Sequence, residues 1–154
     1  MSGITLEYDA PAAIAALRDA ADHVADTDLM LRDIGEYLLI AHAARWDAQV
    51  SPDGVPWAAL SPRYAARKAK ARPGAPILVY DGFLRGTLRY QVAASVLLFG
   101  TDRPYGARQQ FGDGGDGGIP ARPWLGTSPA DDAEIVAIAR QHLVDGLHAG
   151  ASVS

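Results

Sequence analysis

The chain has 154 residues, 49% apolar and 21% charged, with a net charge of −4. That length is enough to bury a core in one domain spanning 1–154, and the composition excludes wholesale disorder. Cysteine is absent, which removes disulfides, thiolate metal sites and cysteine nucleophiles together.

The mild acidity hides three unequal blocks. Residues 1–50 sum to −6, residues 51–90 to +5 and residues 91–154 to −3. Such a chain can attract copies of itself or a complementary partner, unless folding intermixes the charges on one surface. Glu7 and Asp9 stand where a secretory signal needs an apolar run. No uncharged apolar run nears the ~18 residues of a membrane span. A soluble protein of a cytoplasm, without membrane contact, is expected.

In chain order, residues 10–24 read as an amphipathic helix capped by Asp9, with Ile14, Leu17, Ala21 and Val24 at helical spacing. A second helix is predicted from Asp28 to about Asp47, with Leu31, Ile34, Leu38 and Ala41 as its apolar stripe. Arg45 near its end suits the negative end of the helix dipole. Pro52, Gly54 and Pro56 then break regularity until Ser61-Pro62, a cap followed by a first-turn proline. The short helix over 62–71 carries Arg63, Arg67, Lys68 and Lys70, and Arg72 follows.

Next comes a helical step or turn around Asp81–Gly86, then β-rich pieces at 87–93 and 95–100, close enough in sequence to pair as a hairpin. "YGARQQF" reads as a helical turn and "GDGGDGG" as a flexible loop; prolines keep "IPARPWLG" extended. Ser128-Pro129 opens a last helix to about His148, with Ile135, Ile138, His142 and Leu143 on one face. The predicted class is α+β: two N-terminal helices, a short basic helix, a small antiparallel sheet and a C-terminal helix.

Chemistry-bearing patterns are sparse. His23, His42, His142 and His148 make no metal-ligand spacing and read as surface or partly packed residues on helices. No G-x-S-x-G elbow exists. A hydrolase pairing His42 with Asp47 is the weakest of the readings. "GDGGDGG" lacks the G-K-[ST] ending of a phosphate loop, and Asp113 with Asp116 offers too few oxygens for calcium. No catalytic residue, metal or cofactor is therefore assigned.

The basic stretch 63–72 could neutralise a few phosphates, which makes a nucleic-acid-binding module the alternative reading, although only Tyr64 interleaves with the cations. Trp57 and Trp124 lie in the proline-rich segments "GVPWAALSP" and "IPARPWLGTSP", with Arg122 two residues before Trp124. Each tryptophan either pins its loop to its own core or anchors a neighbour.

Four pieces follow one another along the chain: Asp53, Gly54, Pro56, Trp57, Leu60, Ser61 and Pro62; Ile77, Leu78, Gly82 and Leu84; Tyr105, Gln110, Phe111 and Gly112; and Ile119 to Gly126. The order resembles the phage virion morphogenesis (tail-completion) proteins of Mu-like phages and prophages, over about residues 50–145. Gln109 stands where that pattern often has His, Gly106 where it often has Ala, and Trp124 where it has Phe.

The resemblance implies a tail-terminator-like fold and a non-enzymatic role at the neck or tail end. It implies a homo-oligomeric ring, suspected to be a hexamer, around the DNA channel. Its partners would be copies of itself and the tail tube and neck or connector proteins, with non-specific contact to DNA in the channel. The location would be the virion, and the host cytoplasm during assembly. Interface candidates on this reading are Trp57, Arg63, Arg67, Lys68, Lys70, Tyr105, Gln110, Phe111, Arg122 and Trp124, the basic helix facing a neighbour's acidic helices or DNA, the neighbour being favoured.

Overall fold

The computed structural model describes residues 27–115 and 118–151; the helix expected over 10–24 lies outside them. The class is α+β, as expected.

Helix α1 runs Thr27–Ala48, with Asp28 in its first turn and Arg45 in its last. Its buried row is Ile34, Leu38, His42 and Trp46, four residues apart, with Gly35 beside it. The expected stripe through Ile34 and Leu38 thus continues into His42 and Trp46, both 1% exposed. Gln49 ends the helix at φ 58°, and its side-chain amide returns to the Trp46 carbonyl at 2.7 Å. That bond holds a left-handed residue where glycine is usual.

The following loop folds tightly on itself. Ser51 accepts from the Val55 amide through its hydroxyl, and Gly54 takes φ 76°. The Trp57 amide then donates back to the Gln49 carbonyl at 3.0 Å, which aims the indole at the end of α1. Helix α2 follows at Pro62–Ala71, with the Ser61 hydroxyl capping the Tyr64 amide and Pro62 in the first turn.

Gly82, left-handed at φ 78°, starts the one-turn helix α3, Phe83–Gly86. Strands β1 (Arg89–Ala93) and β2 (Val96–Gly100) pair antiparallel, with Tyr90 opposite Phe99 and Val92 opposite Leu97. Ala94 and Ser95 both have positive φ, so the two-residue turn has the twist of a hairpin without the usual Asn or Gly. One face of the hairpin lies on α1. Phe99 meets the His42 ring at 4.6 Å, and Tyr90 lies where a Cβ on Gly35 would be 2.5 Å from its ring.

Helix α4 spans Tyr105–Phe111 and helix α5 spans Pro129–Ala151. Ser128 and Asp131 cap α5 reciprocally, each amide donating to the other's side chain. Helices α1 and α5 run antiparallel: Asp33 meets His142, while Tyr37 and Arg45 both reach Asp131.

The main apolar cluster lies at the C-terminal end of α1. It comprises Trp46, Trp57, Leu84 and Trp124, with Ile77, Leu78, Val79, Leu88 and Leu125 packed around it. Trp46 meets Trp57 edge-on at 5.3 Å and Trp124 at 5.6 Å, geometries that add attraction beyond area burial. The first, second and fourth of those sequence pieces supply residues of this cluster, and Gln110 of the third ties to it through the Trp124 and Leu125 amides. No helix among the described residues is long and apolar enough to cross a membrane.

Candidate functional site

The interface candidates divide into an inward and an outward set. Trp57 and Trp124 are 5% and 3% exposed, and each indole N–H is satisfied within the chain. Trp57 Nε1 donates to the Pro123 carbonyl at 2.7 Å, and Trp124 Nε1 to the Gly106 carbonyl at 3.0 Å. Of the two roles open to these residues, the chain itself displays the loop pin. The reason is geometric: the return bond at Gln49 and the extended 119–126 segment turn both rings onto Trp46.

Gln110 points inward too. Its Oε1 accepts from the Trp124 and Leu125 amides at 2.9 Å, and its Nε2 donates to the Leu125 carbonyl at 3.0 Å. A side-chain amide thus stands in for a neighbouring strand. Arg122 laces the same segment to the Trp57 loop, donating to the Ala58 and Ala59 carbonyls at 2.7 and 3.0 Å.

Lys68 points inward from an otherwise exposed basic helix, and its Nζ donates to the Pro76 carbonyl at 2.5 Å. Burial, reinforced by the nearby Arg122 charge, lowers the Lys68 pKa. Burial likewise lowers that of Arg122, with Tyr64 acting in the opposite sense. Both cations hold backbone carbonyls; neither forms an ion pair among the described residues.

Arg63, Arg67, Lys70, Tyr105 and Phe111 form the outward set. Arg63 and Lys70 have no carboxylate partner among the described residues, and Arg67 lies over the Tyr64 ring at 5.1 Å. Arg72 pairs with Asp81, whose hydrogen bond raises the Arg72 pKa, and stacks on Tyr80 at 5.0 Å. Among the described residues Phe111 is the most exposed large apolar one, at 77%.

Between α2, the 77–84 segment and α4 lies an open groove of about 720 Å³. Leu60, Tyr64, Leu78, Phe83, Tyr105 and Ile119 line it, together with Lys68, Arg108, Gln109 and Arg122. Gln109 Oε1 is buried there without a hydrogen-bond partner. The individual residues were visible in the sequence, but their assembly into one groove was not; the positive φ of Leu78 and Gly82 folds the 77–84 segment across α2.

The other tempting chemistry disperses. His42 and Asp47 do not meet: Asp47 pairs with Arg85 at 2.7 Å. His42 Nδ1–H donates to the Leu38 carbonyl, and Nε2 accepts from the Gly126 amide, a neutral tautomer. Burial lowers its pKa, in keeping with that form. Asp113 of the glycine loop pairs with Arg108 and accepts from the Ile119 amide, so it fastens the loop. The Arg108 hydrogen bond lowers its pKa. No group of His, Asp or Glu among the described residues is arranged to hold a metal ion.

The sequence model of the phage virion morphogenesis family matches residues 9–144, and the chain belongs to that family. A curated relative, the Mu-like prophage FluMu G protein 2 of Haemophilus influenzae, is 35% identical over 78 residues. That match covers 48% of this chain and 56% of the relative, so the chain spans about half the relative's length. No solved structure matches. Membership assigns the chain to the making of phage particles.

Proposed function

We propose that the chain is a structural subunit acting at tail completion or head–tail joining, as a homo-oligomeric ring around the DNA channel. Family membership over 9–144 carries this reading. The geometry agrees with it: the aromatic pieces form a rigid centre, while Arg63, Lys70, Tyr105 and Phe111 are left facing outward. Unpaired cations on one face and the acids of α1 and α5 on others suit head-to-tail contact, which closes into a ring by rotation. Six subunits and attachment to the tail tube or a neck connector are the expected arrangement. Light scattering of the purified chain, with electron microscopy of added tail tubes, tests it. Oligomers seated at tube ends support the proposal; monomers at every concentration that ignore tube ends reject it.

The outward cations also favour a second reading, contact with DNA phosphates. Lys68 is buried and Arg72 is paired with Asp81, so Arg63, Arg67 and Lys70 remain. Duplex binding through three cations would show a log–log salt slope of about −3. Absence of binding at low salt rejects it.

A further inference from the structure

Lys68 and Arg122 pose an electrostatic problem that no carboxylate among the described residues solves; Asp81, which also lines the groove, is paired with Arg72. Both are 4% exposed, both line the groove, and their charges repel each other. Backbone carbonyls accept one hydrogen of Lys68 and two of Arg122 but supply no compensating negative charge. A buried, uncompensated charge is expensive, and an arriving carboxylate would relieve it. The groove also exposes aromatic surface, with Tyr105 and Phe83 at 43% and 58%. These features fit an occupant that is both apolar and carboxylate-bearing.

We propose that the groove receives the acidic N-terminal stretch, residues 1–26, of a second copy of the chain. The inference rests on the assembly reading above. Residues 1–26 carry Glu7, Asp9, Asp19, Asp22 and Asp26 against Arg18 alone. Within it, Ile4, Leu6 and Tyr8 alternate with Thr5, Glu7 and Asp9, offering apolar groups for the walls and carboxylates for the cations. Charge complementarity thus singles out this stretch.

A stretch of 26 residues spans up to about 85 Å when extended, so it reaches its own groove or a neighbour's, and the assembly reading selects the neighbour. The stretch joins the chain at Thr27, whereas the groove adjoins Leu84, packed on Trp46 at the opposite end of α1. A 22-residue helix puts those ends about 30 Å apart. Exchange between copies gives each subunit one donor and one acceptor, the heterologous contact that closes rings. Duplex DNA fits poorly, because phosphates on a rigid cylinder do not reach cations that are 4% exposed between aromatic walls.

Sedimentation of the full chain over a range of concentrations tests this. The variants are Lys68→Met, and Glu7→Gln combined with Asp9→Asn; a synthetic peptide of residues 1–12 serves as competitor. Both variants should raise the self-association constant for dissociation by about thirtyfold or more. Excess peptide should dissociate the wild type. Lys68→Met should also melt no lower than wild type when both are monomeric, because it removes an uncompensated buried cation; that shows the loss is not unfolding.

Wild-type association in either variant overturns the inference, as does a peptide that leaves the wild-type mass unchanged. So does a wild type that stays monomeric while its own stretch fills its groove. Tail-end binding that survives in Lys68→Met would sink the exchange while leaving the assembly role intact. Absence of tail-end binding by the wild type would sink the role itself.

Discussion

The tryptophan cluster and the α1–α5 helix pair solve the same packing problem with opposite materials. The cluster joins Trp46, Trp57, Leu84 and Trp124, and its polar ties run from side chains to backbone carbonyls. The helix pair instead buries charge. Asp131 accepts from the Tyr37 hydroxyl at 2.7 Å and from Arg45, while Arg45 also donates to the Gly126 carbonyl at 3.0 Å. The first region has almost nothing to titrate; the second depends on the protonation of Asp131 and His42. Stability against acid is therefore set at the helix pair, and stability against truncation at the cluster.

Removing an aromatic should show the larger effect. Trp124→Ala empties the centre of the cluster and should lower unfolding free energy by about 3–5 kcal/mol in urea titrations. A loss under about 1 kcal/mol would mean that this ring does not hold the core. At the helix pair, Arg45→Ala leaves the Asp131 carboxylate without its buried partner; the two side chains are only 12% and 5% exposed. The expected loss is about 3 kcal/mol. It should shrink in an Asp131→Asn background, because the stranded charge is gone.

Acid should separate the two regions. Burial pushes the Asp131 carboxyl up, but the Ser128 amide, the Tyr37 hydroxyl and Arg45 outweigh it and hold it at about 2. The same burial and the Asp131 bond push Tyr37 up to about 12. A carboxyl held below its ordinary 3.8 contributes about 2 kcal/mol above that pH, lost as pH falls toward 2. His42 acts in a higher window. Its folded pKa lies below 6.5, so the unfolded chain binds the proton more readily and stability falls as pH drops below 6.5. Melting temperature against pH should show both declines, with Asp131→Asn flattening the lower one.

The smallest effect concerns a coupling inside the cluster. Gly106 and Trp124, two of the positions read from the sequence as departures from the resembled pattern, touch. A Cβ on Gly106 would lie 3.2 Å from Trp124 Cζ2. The wider indole occupies space that the missing methyl leaves. Gly106→Ala and Trp124→Phe should couple by about 1 kcal/mol in a double-mutant cycle, with the alanine tolerated better beside phenylalanine. Additive effects would uncouple the two departures.

Much of the fold was legible in the sequence because its punctuation is chemical. Ser61-Pro62 and Ser128-Pro129 mark helix starts that the structure reproduces, and the apolar row through Ile34 and Leu38 gave α1. What stayed hidden depends on tertiary direction. The hairpin turn at Ala94-Ser95 uses left-handed backbone in residues that carry no such signal. In the sequence His42 reads as a surface or partly packed residue, and only the structure extends the four-residue row through it, between Leu38 and Trp46. A proline-punctuated loop fixes where Trp57 and Trp124 occur in the chain but not which way their rings turn. Lys68 was inseparable from its neighbours as a cation, since only the fold shows that α2 turns that one position inward.

The most direct measurement is electron microscopy of particles made by the phage or prophage after deletion of this chain. The account predicts tails left unfinished or unjoined to heads, restored when the wild-type chain is supplied. Intact, infectious particles in normal number without it would contradict the account.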